Sequence, residues 1–252
     1  MTRFIIKNKI ITGLLAAAFW LLVWQAAYIK VAQELLLVSP MQAFARLFAL
    51  AETTQFWISV LGTCLRVVVG FLLSLVTGAL LAWLSFSFRL IHILISPLFG
   101  VIRATPVASF IILVLLWLRT DTLPMFIAFL MVVPIVWANI SAGISSTDQS
   151  LLEMARIFRF SRGKTARWIY APAIAPHFIS ACSVGLGFAW KSAVAAEVIC
   201  LPKYAIGRQF YNAKIYLETA DLFAWTIAVI ILSVLIEKLF IGALKGIQKH
   251  HA

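Results

Sequence analysis

Apolar residues run along this chain in blocks of about twenty, and the polar positions gather in short clusters between them. As an α-helix rising 1.5 Å per residue, a block of that length crosses the ~30 Å hydrocarbon core of a bilayer. The pattern therefore predicts membrane spans. The first runs from Ile10 to about Ile29, behind Arg3, Lys7 and Lys9. A signal peptide also starts with charge, but this run is long enough to span and no small-residue cleavage site follows, so a retained first span is expected. Lys30 to Ile58 is mixed, with Glu34, Pro40, Arg46 and Glu52, and predicts an external segment with a short helix near Ala43 to Ala51.

The second span is expected from about Ser59 to Leu84, carrying Gly62, Gly70 and Gly78 at intervals that suit close helix approach without GxxxG spacing. After a turn from Ser85 to His92, the third apolar run, Ile93 to Leu118, is punctuated by Pro97, Gly100, Arg103 and Pro106. Each proline removes a backbone donor, so a broken or kinked helix is predicted. Leu123 to Ile144 is the fourth span, Ala173 to Ile199 the fifth and Leu222 to about Ile241 the sixth, with an external segment from Cys200 to Asp221. The expected fold is all-α: a polytopic membrane protein of about six transmembrane helices in one domain, residues 1–252. Within it, 1–58 hold the first span and external segment, 59–241 the core and 242–252 a tail.

Composition agrees, since 63% of the 252 residues are hydrophobic and 12% charged, far from a soluble domain. The net charge of +12 raises nucleic acid as a partner, but the basic residues are scattered between apolar runs and form no groove with stacking aromatics. Orientation explains them better. With both termini in the cytosol, the predicted cytoplasmic segments hold twelve Lys and Arg against six in the external ones. Cys64, Cys182 and Cys200 form no CxxC pair, and the four histidines no metal-binding group.

The largest cationic island, Ser150 to Pro172, lies between the fourth and fifth spans, with Arg156, Arg159, Arg162, Lys164 and Arg167 against Glu153. Ser150 and Glu153 have capping-box spacing, and Leu151, Met154, Ala155 and Phe158 fall on one helical face. A short amphipathic helix here seats its apolar face either on the membrane surface or in a groove of a cytosolic partner, and the pattern leaves both open. Gly163-Lys164-Thr165 is how a phosphate-cradling loop ends, but the glycine needed five residues earlier is Phe158.

The island resembles the cytoplasmic loop of the membrane subunits of type I ABC importers, where Glu-Ala-Ala, a following Gly and a later Ile-x-Leu-Pro recur. Glu153, Ala155, Ile169 and Pro172 match it. Met154 replaces the first Ala, Ala171 the Leu, and Arg159 the Gly, which leaves Gly163 to supply flexibility. Leu65-Arg66-Val67 with Gly70-Phe71, Arg103-Ala104-Thr105-Pro106, and Ala189-Trp190 with Val194-Ala195-Ala196-Glu197 are similar to the nitrate, sulfonate and taurine branch. The resemblance covers about Ser39 to Glu237. It implies a permease in the bacterial inner membrane, paired with a second permease subunit as a homodimer. Two ATPase subunits carrying ATP and Mg would lie below, and an external solute-binding protein above. Leu151, Glu153, Met154, Ala155, Phe158, Arg159 and Pro172 would form the ATPase-coupling segment. The solute would be a small anion or, as in some relatives, a pyrimidine vitamin precursor.

Ionisable residues within the spans cost about 2.5 to 3.5 kcal/mol at a helix centre and so should face a partner, a cavity or the interface. Arg66 and Glu197 suit snorkelling or a structural ion pair. Arg103 and Lys191, with Glu197, are the candidate pathway residues: they would attract an anionic solute, or pair with Glu197 or a helix-end carbonyl. An ion-gradient-driven secondary transporter, coupled through Arg103, Lys191 and Glu197, is the alternative of a different class. It would need no ATPase.

Overall fold

A computed structural model of the chain describes residues 9–251. Arg3 and Lys7 lie outside them. The described residues form helices only: α1 (Lys9–Val31), α2 (Pro40–Ala51), α3 (Thr54–Ser87), α4 (Arg89–Ala104), α5 (Val107–Val114), α6 (Leu123–Ser145), α7 (Gln149–Ile157), α8 (Arg162–Thr165), α9 (Ala171–Cys200), α10 (Ile206–Ile215) and α11 (Thr219–His251). Five helical stretches are long and apolar enough to cross a membrane, or six if α4 and α5 count as one broken span. That matches the expected number.

The chain divides into two compact units. One holds the described residues up to Ile58 with Gln209–Ile230; the other holds Ser59–Arg208 with those from Ile231 onward. The divisions fall at 58/59, 208/209 and 230/231, within the one domain expected from the sequence.

In the first unit α1 is apolar on every side, with Leu14, Trp20 and Leu22 all exposed. Its last turns are held where the Trp24 indole donates to the Val38 carbonyl (3.0 Å) and stacks on Phe223. Helix α2 starts earlier than the pattern suggested, because Ser39 and Gln42 form a capping box and Pro40 occupies the first turn. Arg46 on α2 pairs with Asp221, and the carboxylate's hydrogen bond holds the guanidinium pKa above its ordinary value.

The second unit is built on α3, α6 and α9. Helix α3 outruns its expected bounds at both ends, since the Thr53 hydroxyl accepts from the Phe56 amide and starts the helix a turn before the apolar run. A Cβ at Gly70 would lie 2.5 Å from the Met125 carbonyl oxygen, and one at Gly78 2.7 Å from the Val136 side chain, so these glycines set how closely α3 and α6 approach. Polar links reinforce the contact: the Ser74 hydroxyl donates to the Phe129 carbonyl (3.0 Å), and the Trp137 indole to the Ser85 hydroxyl (3.0 Å). Against α6, α9 buries Ala181, Gly185, Ala189 and Ala193, a small-xxx-small series that admits the backbone as GxxxG does.

The third apolar run breaks at Thr105-Pro106, where both residues are extended and α4 meets α5 at 104°. Proline biases the residue before it away from helix, which places the corner here. The fifth span also departs from its expected bounds. Residues 162–200 are helical throughout, with a π-helical turn at Ala166–Tyr170, so the fifth span begins inside the cationic island. The external segment expected after Cys200 contains α10.

Candidate functional site

Helix α7 is started by Asp148, whose carboxylate accepts from the Ser150 amide (2.8 Å). The expected Ser150/Glu153 capping box therefore does not form: the helix begins two residues earlier, and Ser150 lies within its first turn. At the other end the Phe160 amide donates to the Ala155 carbonyl (2.8 Å) and the Arg159 amide to that of Arg156 (3.1 Å). This is a Schellman closure, and its left-handed position is Arg159, at φ 51°. Arg159 takes the conformation for which glycine is the usual residue. Gly163 does not relieve it, being helical within α8.

The apolar face expected on α7 is divided. Ala155 is buried, whereas Leu151, Met154, Ile157 and Phe158 are exposed, the last two at 77% and 69%. Glu153 and Arg159 are exposed as well. A helix pinned through Ala155 and closed by a tight turn thus offers an apolar and acidic surface outward. After it, Ser161 caps α8, and in the π-helical turn the Ala171 amide donates to the Ala166 carbonyl. Pro172, exposed one residue further, has no amide to donate to Trp168, and the wider turn accommodates that loss.

Replacing Arg159 with Gly should stabilise this closure by about 1 kcal/mol, raising protection of the 159 and 160 amides in hydrogen exchange about fivefold. A valine there should lower protection.

Arg66 and Glu197 form a structural ion pair (3.1 Å) with the carboxylate fully buried. The Thr63 hydroxyl and the Gly207 amide donate to its other oxygen, at 2.8 and 3.2 Å. Arg66 also donates to the carbonyls of Asp121, Lys203 and Tyr204. Together these bonds fasten the turns before α6 and after α9 to α3. The Glu197 carboxylate is enclosed by these partners, in a structural setting unlike that of an exposed pathway group.

Arg103 and Lys191 do not pair with it. Arg103 is exposed at the end of α4 and donates to the Phe99 carbonyl (3.3 Å), four residues back within its own helix. Lys191 is exposed on α9, about 14 Å in from the Cys200 end, and makes no hydrogen bond or ion pair with described residues. One intramembrane acid escaped the sequence reading: Glu237 on α11, which accepts from the Ser183 hydroxyl of α9 (2.5 Å). Its place near the end of the sixth apolar run was the available signal.

Residues 70–249 match the family model of the binding-protein-dependent transport system inner membrane component. The nitrate import permease protein NrtB of Synechocystis sp. is 25% identical over 206 residues, covering 78% of this chain and 74% of that protein. The taurine transport system permease protein TauC of Escherichia coli is 21% identical over 220 residues, covering 85% and 80%. Among solved structures, an amino acid ABC transporter crystallised with histidines superposes with a TM-score of 0.60 over 77% of this chain and 94% of that one, at 19% identity. It shares the fold.

Proposed function

This chain belongs to the inner membrane components of binding-protein-dependent transport systems, and from that premise we propose how its parts divide the work of import. It is a multi-pass permease subunit of an ABC importer. In the arrangement proposed, two copies of the chain enclose a pathway, a binding protein delivers solute from outside, and two ATPase subunits carry ATP and Mg. Both termini and α7 lie on the cytosolic side, a placement supported by the bias of basic residues.

Helix α7 seats in a cleft of the ATPase. The observation that carries this is its closed, short form with Leu151, Met154, Ile157 and Phe158 turned outward. ATP binding draws the ATPases together, α7 follows, and the motion passes through α8 and the π-helical turn into α9. Hydrolysis restores the first state. Uptake into proteoliposomes containing permease, ATPase and binding protein should require ATP. Uptake that collapsed with the ion gradient and ignored ATP would overturn the reading.

The solute is a small anion. One relative is named for nitrate, an anion, and another for taurine, a zwitterion bearing a sulfonate, and Arg103 and Lys191 are exposed cations at a break and within a span, where charge must face a cavity or partner. Arg103→Gln with Lys191→Gln should slow uptake of an anionic solute by about tenfold while leaving ATPase association unchanged, the loss of ~1.4 kcal/mol of attraction. Unaltered uptake would remove both residues from the pathway.

A further inference from the structure

A cavity of about 1040 Å³ opens beneath α7, between the end of α3 and the start of α9. Trp83, Phe86, Tyr170 and Ile174 form much of its wall, Arg156 and Arg162 line it too, and no acidic residue does. We propose that it is a binding site for an anionic phospholipid, with the phosphate held by Arg156 and Arg162 and an acyl chain lying against Trp83, Phe86 and Ile174. This rests on the cytosolic placement of α7 proposed above.

Two observations favour a lipid over a free phosphate. First, neither guanidinium has a hydrogen-bond or ion-pair partner among the described residues, so both keep their donors for an anion. Second, the wall they face is apolar and aromatic. Trp83 and Phe86 are 59% and 56% exposed in the last turns of a span helix, so the cavity adjoins the level of the bilayer edge, where aromatic rings gather. A free phosphate would leave that wall wetted. Anionic lipids of the cytosolic leaflet match both halves of the site.

The site carries a regulatory consequence. Arg156 belongs to α7 and Arg162 to α8, so a phosphate between them braces the coupling segment against the membrane. Leaflet charge then sets how firmly α7 is held while the ATPases pull on it.

The test uses the full chain in nanodiscs of phosphatidylcholine containing a minor fraction of phosphatidylglycerol, either lipid being brominated in turn. Quenching of Trp83 is the difference between the native chain and Trp83→Phe. Two arginines should give brominated phosphatidylglycerol about a 30-fold preference over brominated phosphatidylcholine, falling to about fivefold with Arg156→Gln alone and to parity with Arg156→Gln/Arg162→Gln. Quenching by the two lipids in proportion to their mole fractions in the native chain overturns the proposal whether or not the variants fold. Displacement of the brominated lipid by inorganic phosphate would make the site one for a free oxyanion and also overturn it. Labelling of Phe158→Cys from each side of sealed vesicles tests the orientation separately: a cytosolic label with no lipid preference sinks the lipid site alone, and an external label sinks the placement of α7.

Discussion

Replacing Arg66 with Met is expected to destabilise the protein by about 3–5 kcal/mol, because it leaves the buried Glu197 carboxylate without its cation. Few substitutions elsewhere in the chain should match it. The thermal midpoint, followed by size-exclusion in detergent, should fall by about 10 °C, at 2–4 °C per kcal/mol for a chain of this size. Arg66→Met combined with Glu197→Met should recover most of the loss, since removing both charges also removes the cost of burying the survivor. The carbonyls of Asp121, Lys203 and Tyr204 lose their donor in either variant, so recovery should stop short of the native value. A single variant that melts with the native protein would show that the pair holds nothing together.

Charge reversal on α7 should act on transport and spare the fold. Glu153 is exposed, so Glu153→Lys disturbs no internal contact and the spans should insert at native yield. A misplaced charge in a docked helix costs about 2 kcal/mol, or roughly 30-fold in association with the ATPase. Copurification with the ATPase should fall accordingly and uptake with it. Ala155→Glu reaches the same outcome by another route, because Ala155 is 3% exposed and a carboxylate there levers α7 from its seat. Copurification at native yield with normal uptake, for either variant, would remove α7 from the coupling.

Much of this was legible in the sequence because bilayer physics is severe. Runs long enough to span stand out, and the Thr105-Pro106 corner followed from what proline does to its predecessor. Helix α7 was legible in position but not in detail. Asp148 and Ser150 both offer a capping oxygen, and the helix uses the first. The two faces of α7 could not be separated either, since an apolar residue turned toward a partner looks the same as one turned inward. Glycine spacing along α3 carried a faint signal that the backbone contacts at Gly70 and Gly78 explain. The stronger small-residue series on α9 was hidden within a run that reads as uniformly apolar. Charge density disguised the start of α9, because arginines suggest a loop while helix propensity is indifferent to their charge.

The π-helical turn at Ala166–Tyr170 amounts to one surplus residue wound into an otherwise regular rod. One residue is about 100° of azimuth in an α-helix, so everything ahead of it, α8 and through it α7, is indexed a quarter-turn and more away from the phase that α9 alone would dictate. The heading of α7 is in this sense written into chain length. Deleting a single residue between 166 and 170 would leave every side chain of α7 and α8 present and swing them to a different bearing, whereas exchanging one apolar residue for another there would leave the bearing alone.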